Sequence, residues 1–325
     1  MTKTYTEEIL PGSLYIVATP IGNLGEITER AKYILSTVNY IVAEDTRNTG
    51  LLLKLLDVSH QKFIAYHKFN ETAKQDYILQ KLQQGNAVAL VSDAGMPCIS
   101  DPGYILVKSA AKMGIAVHAV SGACAMVNAL AVSGFPTEPF VFVGFLPKKQ
   151  PIQEIFNPFL QSFQSSFYLQ STEKIPAGEK TTKKVGLTAV FYQSPKRIIG
   201  TLQDLSEHFP WTKICLCNDI SKKFERIYRG NPKEVLEELQ ANKNAEKGEY
   251  TCVIFFANFE NGNSSTNGEN LEKSPQSLES QLVDIMLAEN CSVKIAVSIL
   301  SKKLSKVSKK DIYAAGINLK EIFEQ

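Results

Sequence analysis

The sequence predicts an α/β protein, with two α/β domains in tandem followed by a small helical one. In the first 145 residues short apolar runs alternate with helix-length amphipathic segments, the pattern of a parallel sheet joined by crossover helices. Two of those runs, Ser13 to Thr19 and Ala87 to Ser92, are nearly continuous in apolar and β-branched residues, as strands covered on both faces are. Far downstream, a stretch rich in Gly, Asn, Ser and Glu precedes a tail whose apolar residues recur at helical spacing.

The elements follow in order. Strands are expected at Ser13 to Thr19, Asn39 to Ala43, Lys62 to Ala65, Ala87 to Ser92 and Ile115 to Val120, with covering helices such as Glu71 to Gln84 and Tyr104 to Met113. Prolines bracket one strand-like run between Pro139 and Pro147 and mark passage from a first domain, residues 1–139, to a second, residues 140–258. Residues 148–184 hold six Lys and three Glu with little periodicity, and are expected to form an inserted loop, either a solvated excursion or a substrate clamp. Then come strand Gly186 to Tyr192, helix Ile198 to His208, strand Lys213 to Asn218 and a short strand before Gly230. A helix opens at Asn231, where Pro232 at the first position and Glu234 three residues after the cap form a start signal. Strand Tyr250 to Ala257 closes the domain, residues 259–277 read as a linker, and residues 278–325 as a helical domain.

Composition excludes several classes. With 44% hydrophobic and 21% charged residues the chain is not a disordered one, and 35 Lys+Arg against 33 Asp+Glu leave only +2, so a nucleic-acid partner would be met by local patches. One such patch is the run from Lys294 to Lys310, six Lys and no acid, which is either a solvated face or an RNA contact. The six cysteines are scattered through apolar runs and read as reduced core thiols. Cys215 and Cys217 share a strand face, but neither a second pair nor a His cluster completes a metal site. Met1 to Pro11 carries Glu7 and Glu8 and no apolar core, and no later stretch approaches the roughly 20 apolar residues of a membrane span, so a soluble, cytoplasmic protein without a membrane partner is expected. His118, His208 and Trp211 read as packing residues.

Three loops follow predicted strand ends, where open α/β sheets gather ligands. The first, Thr19 to Gly25, brings two glycines near a helix start and suits an anionic or polar ligand, but its spacing is neither that of a dinucleotide fingerprint nor that of a P-loop. The second is Glu44-Asp45-Thr46-Arg47. Asp45 either caps a helix with Arg47 solvated, or a carboxylate acts on a hydroxyl while Arg47 grips a phosphate. The third, Ser92 to Gly103, holds two Gly, two Pro, two Asp and two Ser, and its length calls for a ligand.

In order along the chain, TPIGNL, EDTR, SDAGMPCISDPG, GFPTEPFVFVGFLPKK, YQSPKR and KGEY resemble the motifs of the tetrapyrrole methylase superfamily, from about Gly12 to Ala257. The nearest resemblance is to its branch that places a 2′-O-methyl on a cytidine of 16S rRNA, and the tail resembles that branch's helical domain. The resemblance implies a two-domain tetrapyrrole methylase-like fold, S-adenosylmethionine (SAM) bound between the domains, usually a homodimer, and 16S rRNA or the 30S subunit as partner. It implies no metal. Carried over, Pro20 borders the methyl-transfer cleft, and Asp93, Gly95, Met96 and Ile99 line the cofactor from the third loop. Ala123, Cys124 and Ala125 add contacts after the fifth strand, and Tyr192 and Ile220 cover the other side. Departures from the family pattern include Gly122-Ala123-Cys124-Ala125 in place of Gly-Pro-Ser-Ala, Gln193 in place of Glu, and Asn218-Asp219 in place of Arg-Glu.

A ribose hydroxyl is a poor nucleophile while protonated, so a base is expected, with Asp45 or Glu44 as candidates and Arg47, Lys196 and Arg197 on flanking phosphates. Two other readings remain open at this point: a SAM-dependent methylase of a small molecule such as a tetrapyrrole precursor, and a non-enzymatic RNA-binding relative.

Overall fold

The computed structural model describes residues 8–59, 62–170, 186–257, 278, 282–283, 285–286, 291–303 and 308–323. The expected linker 259–277 lies outside them.

In the first lobe, β1 (Leu14–Val17), β2 (Tyr40–Ala43), β3 (Phe63–Ala65), β4 (Val88–Val91) and β5 (Val117–Val120) form a parallel sheet in the order β3-β2-β4-β1-β5. Its helices are α1 (Glu29–Thr37), α2 (Thr46–Leu55), α3 (Glu71–Gln83), α4 (Tyr104–Lys112) and α5 (Ala125–Ser133). Alternation along the strands decides the packing. Tyr15 and Val17 join Ile41, Ala43, Ala89 and Val91 beneath Ile34, Leu35 and Leu53 of α1 and α2. Leu14, Ile16, Val42 and Leu90 face Ile78 and Leu82 of α3 and Leu106 and Ala110 of α4. Both faces are thus covered, which is why the strands carry no polar alternation. Each fully buried aliphatic side chain contributes about 1.5–3 kcal/mol. β1 and β4 are neighbours whose connections leave in opposite directions, so a crevice opens beyond their carboxyl ends.

The second lobe carries β6 (Phe140–Phe145), β7 (Leu187–Gln193), β8 (Lys213–Asn218), β9 (Arg226–Gly230) and β10 (Tyr250–Phe256), in the order β6-β7-β10-β8-β9. Only β6 and β7 are parallel; the other pairs are antiparallel. Three helices, α6 (Ile152–Gln170), α7 (Pro195–His208) and α8 (Pro232–Gln240), cover one face through Phe156, Ile198, Leu202 and Val235, packed on Phe191, Leu216, Ile254 and Phe256. α8 begins where the sequence signal puts it. The Asn231 side chain accepts from the Glu234 N–H at 2.9 Å while the Glu234 carboxylate accepts from the Asn231 N–H at 2.7 Å, closing a capping box.

One expectation is corrected. The inserted loop 148–184 is, over its described part, largely the helix α6. Ile152, Ile155, Phe156 and Leu160 fall at the spacing of one helical face and are buried in the core of the second lobe. Pro158 sits inside the helix, on its exposed side, and with the surrounding Gln and Ser residues it masks the pattern in the sequence.

The other face of the second sheet meets the first lobe. Val190, Cys215, Cys217 and Val253 pack on Ala129 and Leu130 of α5, with Ile21 and Ala123 from the loops after β1 and β5 and with Ile220 from the loop after β8. Cys215 and Cys217 therefore do share a face, and that face is apolar core. All six cysteines are free thiols. His118 stacks on Tyr15 at 5.0 Å and Trp211 lies edge-on to Phe209 and Phe256, both as packing residues.

The C-terminal unit contains α9 (Val293–Lys303) and α10 (Lys309–Phe323), with Leu282, Ala296, Val297, Leu300, Ile312 and Ala315 as its core. A Cβ added at Gly316 would stand 2.6 Å from Val297 Cγ2, so the two helices cross closely there. Lys294, Lys302 and Lys310 are exposed. Among the described residues no helix is long and apolar enough to cross a membrane, and no group of three or more His, Cys, Asp or Glu side chains is placed to hold a metal ion.

Candidate active site

The three loops singled out in the sequence meet at the carboxyl ends of β1, β2 and β4. Thr19 and Gly95 exchange two main-chain hydrogen bonds, 2.9 and 3.0 Å, tying the first loop to the third. Gly95 is in the left-handed region, φ +82°, and a Cβ there would press on Ile21 Cγ2 at 3.3 Å, so a side chain would both strain the turn and push the first loop away. The Asp93 carboxylate accepts from the Asp45 N–H at 3.2 Å and from Asn48 Nδ2 at 2.8 Å, tying the third loop to the start of α2. Asp93 thus acts as a brace between loops.

Of the two candidate proton acceptors, Asp45 is committed to structure. It caps α2, accepting from the Arg47 N–H at 2.9 Å, and its carboxylate is gripped by Arg47 Nε at 3.0 Å and Nη2 at 2.6 Å. Those bonds hold its carboxyl down at about 2. A carboxylate so satisfied is a poor proton acceptor, and the same pair turns Arg47 toward Asp45, so the capping alternative describes this loop. Glu44 differs: it is half-buried, and desolvation together with Asp93 raises its carboxyl, with His67 opposing.

The sequence reading missed Asp101. It lies in the third motif, but nothing in a string of residues distinguishes it from Asp93. In the fold Asp101 is half-buried and pushed up to about 6, first by desolvation and then by Glu44, while the Ser92 hydroxyl bonded to it opposes. Glu44, Asp93 and Asp101 therefore form one group of like charges.

The second lobe closes the crevice. The Tyr192 hydroxyl accepts from the Met126 N–H, in the first turn of α5, at 3.2 Å, and burial and Cys124 push its phenol up to about 12. Ile220 is buried against the Ile21 and Ala123 side of the cleft. The loop after β8 also reaches across: the Ser221 hydroxyl donates to Glu26 Oε1, and Lys222 lies over Gly22 while paired with Asp219 at 3.0 Å and Glu249 at 2.8 Å. Pro20 is buried at the cleft border, Cys124 and Ala125 form the entry to α5, and Ile99 is half-buried in the third loop. Met96 is half-buried and packs on the core shared with Tyr66 and Leu90. Lys196 is exposed in the first turn of α7. Arg197 turns back to donate to the carbonyls of Leu146 at 2.8 Å and Pro147 at 3.3 Å, which makes it a brace for the chain leaving β6.

A ligand entering between the lobes beside these loops would meet apolar groups at Ile21, Ala123, Ile220 and Tyr192 and the main chain of residues 93–95 and 121–124. A Cβ at Gly122 would stand 2.8 Å from Ala18 Cβ, so this loop lies tight on the end of β1. Such a lining suits a ligand that is aromatic at one end and zwitterionic at the other, as SAM is.

The chain thus has two α/β lobes that meet at the loops after β1, β4 and β5. The model of the tetrapyrrole (corrin/porphyrin) methylases matches residues 13–236, and the chain belongs to that family. It is a SAM-dependent methyltransferase. Similar curated relatives include a ribosomal RNA small subunit methyltransferase I of Halalkalibacterium halodurans, 38% identical over 252 residues, 78% of each chain. Another, from Haemophilus influenzae, is 35% identical over 309 residues, covering 95% of this chain and 97% of the relative. Among solved structures, that of the methyltransferase CobJ superposes with a TM-score of 0.49 at 14% identity, covering 75% of this chain and 93% of that one.

Proposed function

We propose that the chain methylates the ribose 2′-hydroxyl of a cytidine in the 16S rRNA of the small ribosomal subunit. The observation that carries this is the 35% identity to the Haemophilus influenzae rRNA small subunit methyltransferase I over 95% of this chain, a span that takes in the helical C-terminal unit as well as both α/β lobes. The exposed lysines Lys148, Lys149, Lys196, Lys294, Lys302 and Lys310 supply the local positive charge that a near-neutral chain needs to hold RNA.

When bound, SAM supplies an electrophilic methyl group for in-line displacement. Main-chain groups of residues 93–95 and 121–124, with Ile21, Ile220 and the Tyr192 ring, hold the donor and exclude water, and such orientation is worth about 7–11 kcal/mol of barrier. Asp101 takes the proton of the attacking hydroxyl, with Glu44 beside it keeping its proton affinity high. A base so placed adds ~10²–10⁴-fold.

The test is titration calorimetry with SAM, followed by transfer of labelled methyl to 30S subunits from a strain lacking the modification. Transfer to a cytidine ribose supports the reading. Binding of SAM without transfer refutes the substrate and directs attention to a small-molecule acceptor. In the same assay Asp45→Asn, which keeps a capping side chain, is expected to change the single-turnover rate by less than about threefold. A loss of the size expected for a base would return Asp45 to the mechanism.

A further inference from the structure

β6 ends in an arrangement that the methyl-transfer chemistry does not require. Its pairing with β7 slips between Phe142, opposite Val190, and Gly144, opposite Phe191, so that Val143 is an extra residue. Gly144 takes the left-handed conformation, φ +71°, that such a bulge uses. In a regular strand Phe142 and Phe145, three residues apart, would point to opposite faces. The bulge turns both rings onto Tyr192, at centroid distances of 5.1 and 5.3 Å.

The consequence is an aromatic shelf at the end of β6, beside Tyr192. Phe142 is half-buried beneath it, while Phe145 is 59% exposed, its ring tilted by 59° to that of Tyr192. The chain beyond is fixed by Arg197, which holds the Leu146 and Pro147 carbonyls, and then presents Lys148 and Lys149, both exposed. A solvent-facing aromatic ring followed three and four residues later by two exposed cations is the chemistry that binds unpaired nucleotides, one base stacked on the ring and phosphates beside the charges.

We propose that Phe145 is a stacking platform for a nucleobase of the RNA substrate, at or next to the target nucleotide, with Lys148 and Lys149 on the adjoining phosphates and Arg197 as the residue that positions the platform. This rests on the reading of RNA as substrate. Tyr192, bonded to the Met126 N–H, links the platform to the loop that holds the methyl donor, so a base stacked on Phe145 is delivered beside the transferable methyl.

The test compares Phe145→Ala, Phe145→Leu and Phe145→Trp with the wild type, measuring KM for unmodified 30S subunits and, separately, Kd for SAM by calorimetry. Stacking predicts that Ala and Leu each raise KM by about 5- to 100-fold, that Trp stays within about threefold of wild type, and that Kd for SAM is unchanged in all three. If Leu performs as well as Trp, the ring is only apolar packing and the proposal fails. If Kd for SAM rises in step with the loss, the ring serves the donor and the proposal fails. Wild-type transfer with unaffected variants overturns the platform alone, whereas SAM binding by the wild type without transfer to 30S subunits overturns the platform and the substrate reading together.

Discussion

Asp101→Asn is expected to lower the single-turnover rate of methyl transfer by ~10²–10⁴-fold while the affinity for SAM stays close to wild type. An amide cannot take the hydroxyl proton, yet it keeps the shape of the carboxyl. In the wild type the rate should rise with pH and level off above an apparent pKa near 6, the value to which burial and Glu44 push this carboxyl. Because Glu44 and Asp93 share the site, that value belongs to the group of carboxyls and not to one residue alone. The variant's residual rate should lose this rise.

The same substitution has a stability signature of opposite sign. A carboxyl whose folded pKa lies above its unfolded one favours the folded state below about pH 4, and loses that contribution as pH rises through about 6. At pH 7.5 the ionised, half-buried Asp101 is therefore a cost, and Asp101→Asn should stabilise the protein by about 1 kcal/mol once solvent screening is allowed for. The gain should shrink as pH falls through 6. A variant that is more stable but inactive marks a functional carboxylate; one that is fully active with the wild-type pH profile would pass the role of base to Glu44, testable by Glu44→Gln.

The second large effect concerns the helix that the sequence hides. Phe156→Ala in α6 is expected to destabilise the protein by about 3–5 kcal/mol, read as a lowered midpoint in urea, because Phe156 is 1% exposed and its ring meets Phe191, Phe209 and Phe256 at 5.3 to 6.1 Å. An irregular surface loop at this place would lose less than about 0.5 kcal/mol. The substitution therefore decides between the two descriptions of residues 152–170.

Much of the fold is legible because its signals are local. β-Branched runs such as LYIV and VALV mark strands buried on both faces, and Asn231, Pro232 and Glu234 announce α8 within four residues. α6 escapes the same reasoning because its apolar stripe of Ile152, Ile155, Phe156 and Leu160 is interrupted by Pro158 and by polar residues, and its partners Phe191 and Phe256 lie far along the chain. The site divides in the same way. The loops that form it stand out through Gly, Pro and Asp density, but the roles within them do not. Asp45 and Arg47 read as a cap or as reactive groups, with the cap favoured, and their mutual bonds, down to 2.6 Å, bear out the cap.

The sequence by itself determined the strands, most of the helices, the order of the loops and the family they resemble, since each depends on residues a few positions apart. The tertiary structure decided which carboxylates are raised by burial, which arginines are spent on the fold and which aromatic ring meets the exposed Phe145. Those properties depend on burial and on neighbours distant in the chain: Asp101 beside Glu44, Asp93 fastened to Asn48, Arg197 on the Leu146 carbonyl, Phe145 against Tyr192. Desolvation and hydrogen-bond geometry act through space, so no linear pattern encodes them directly.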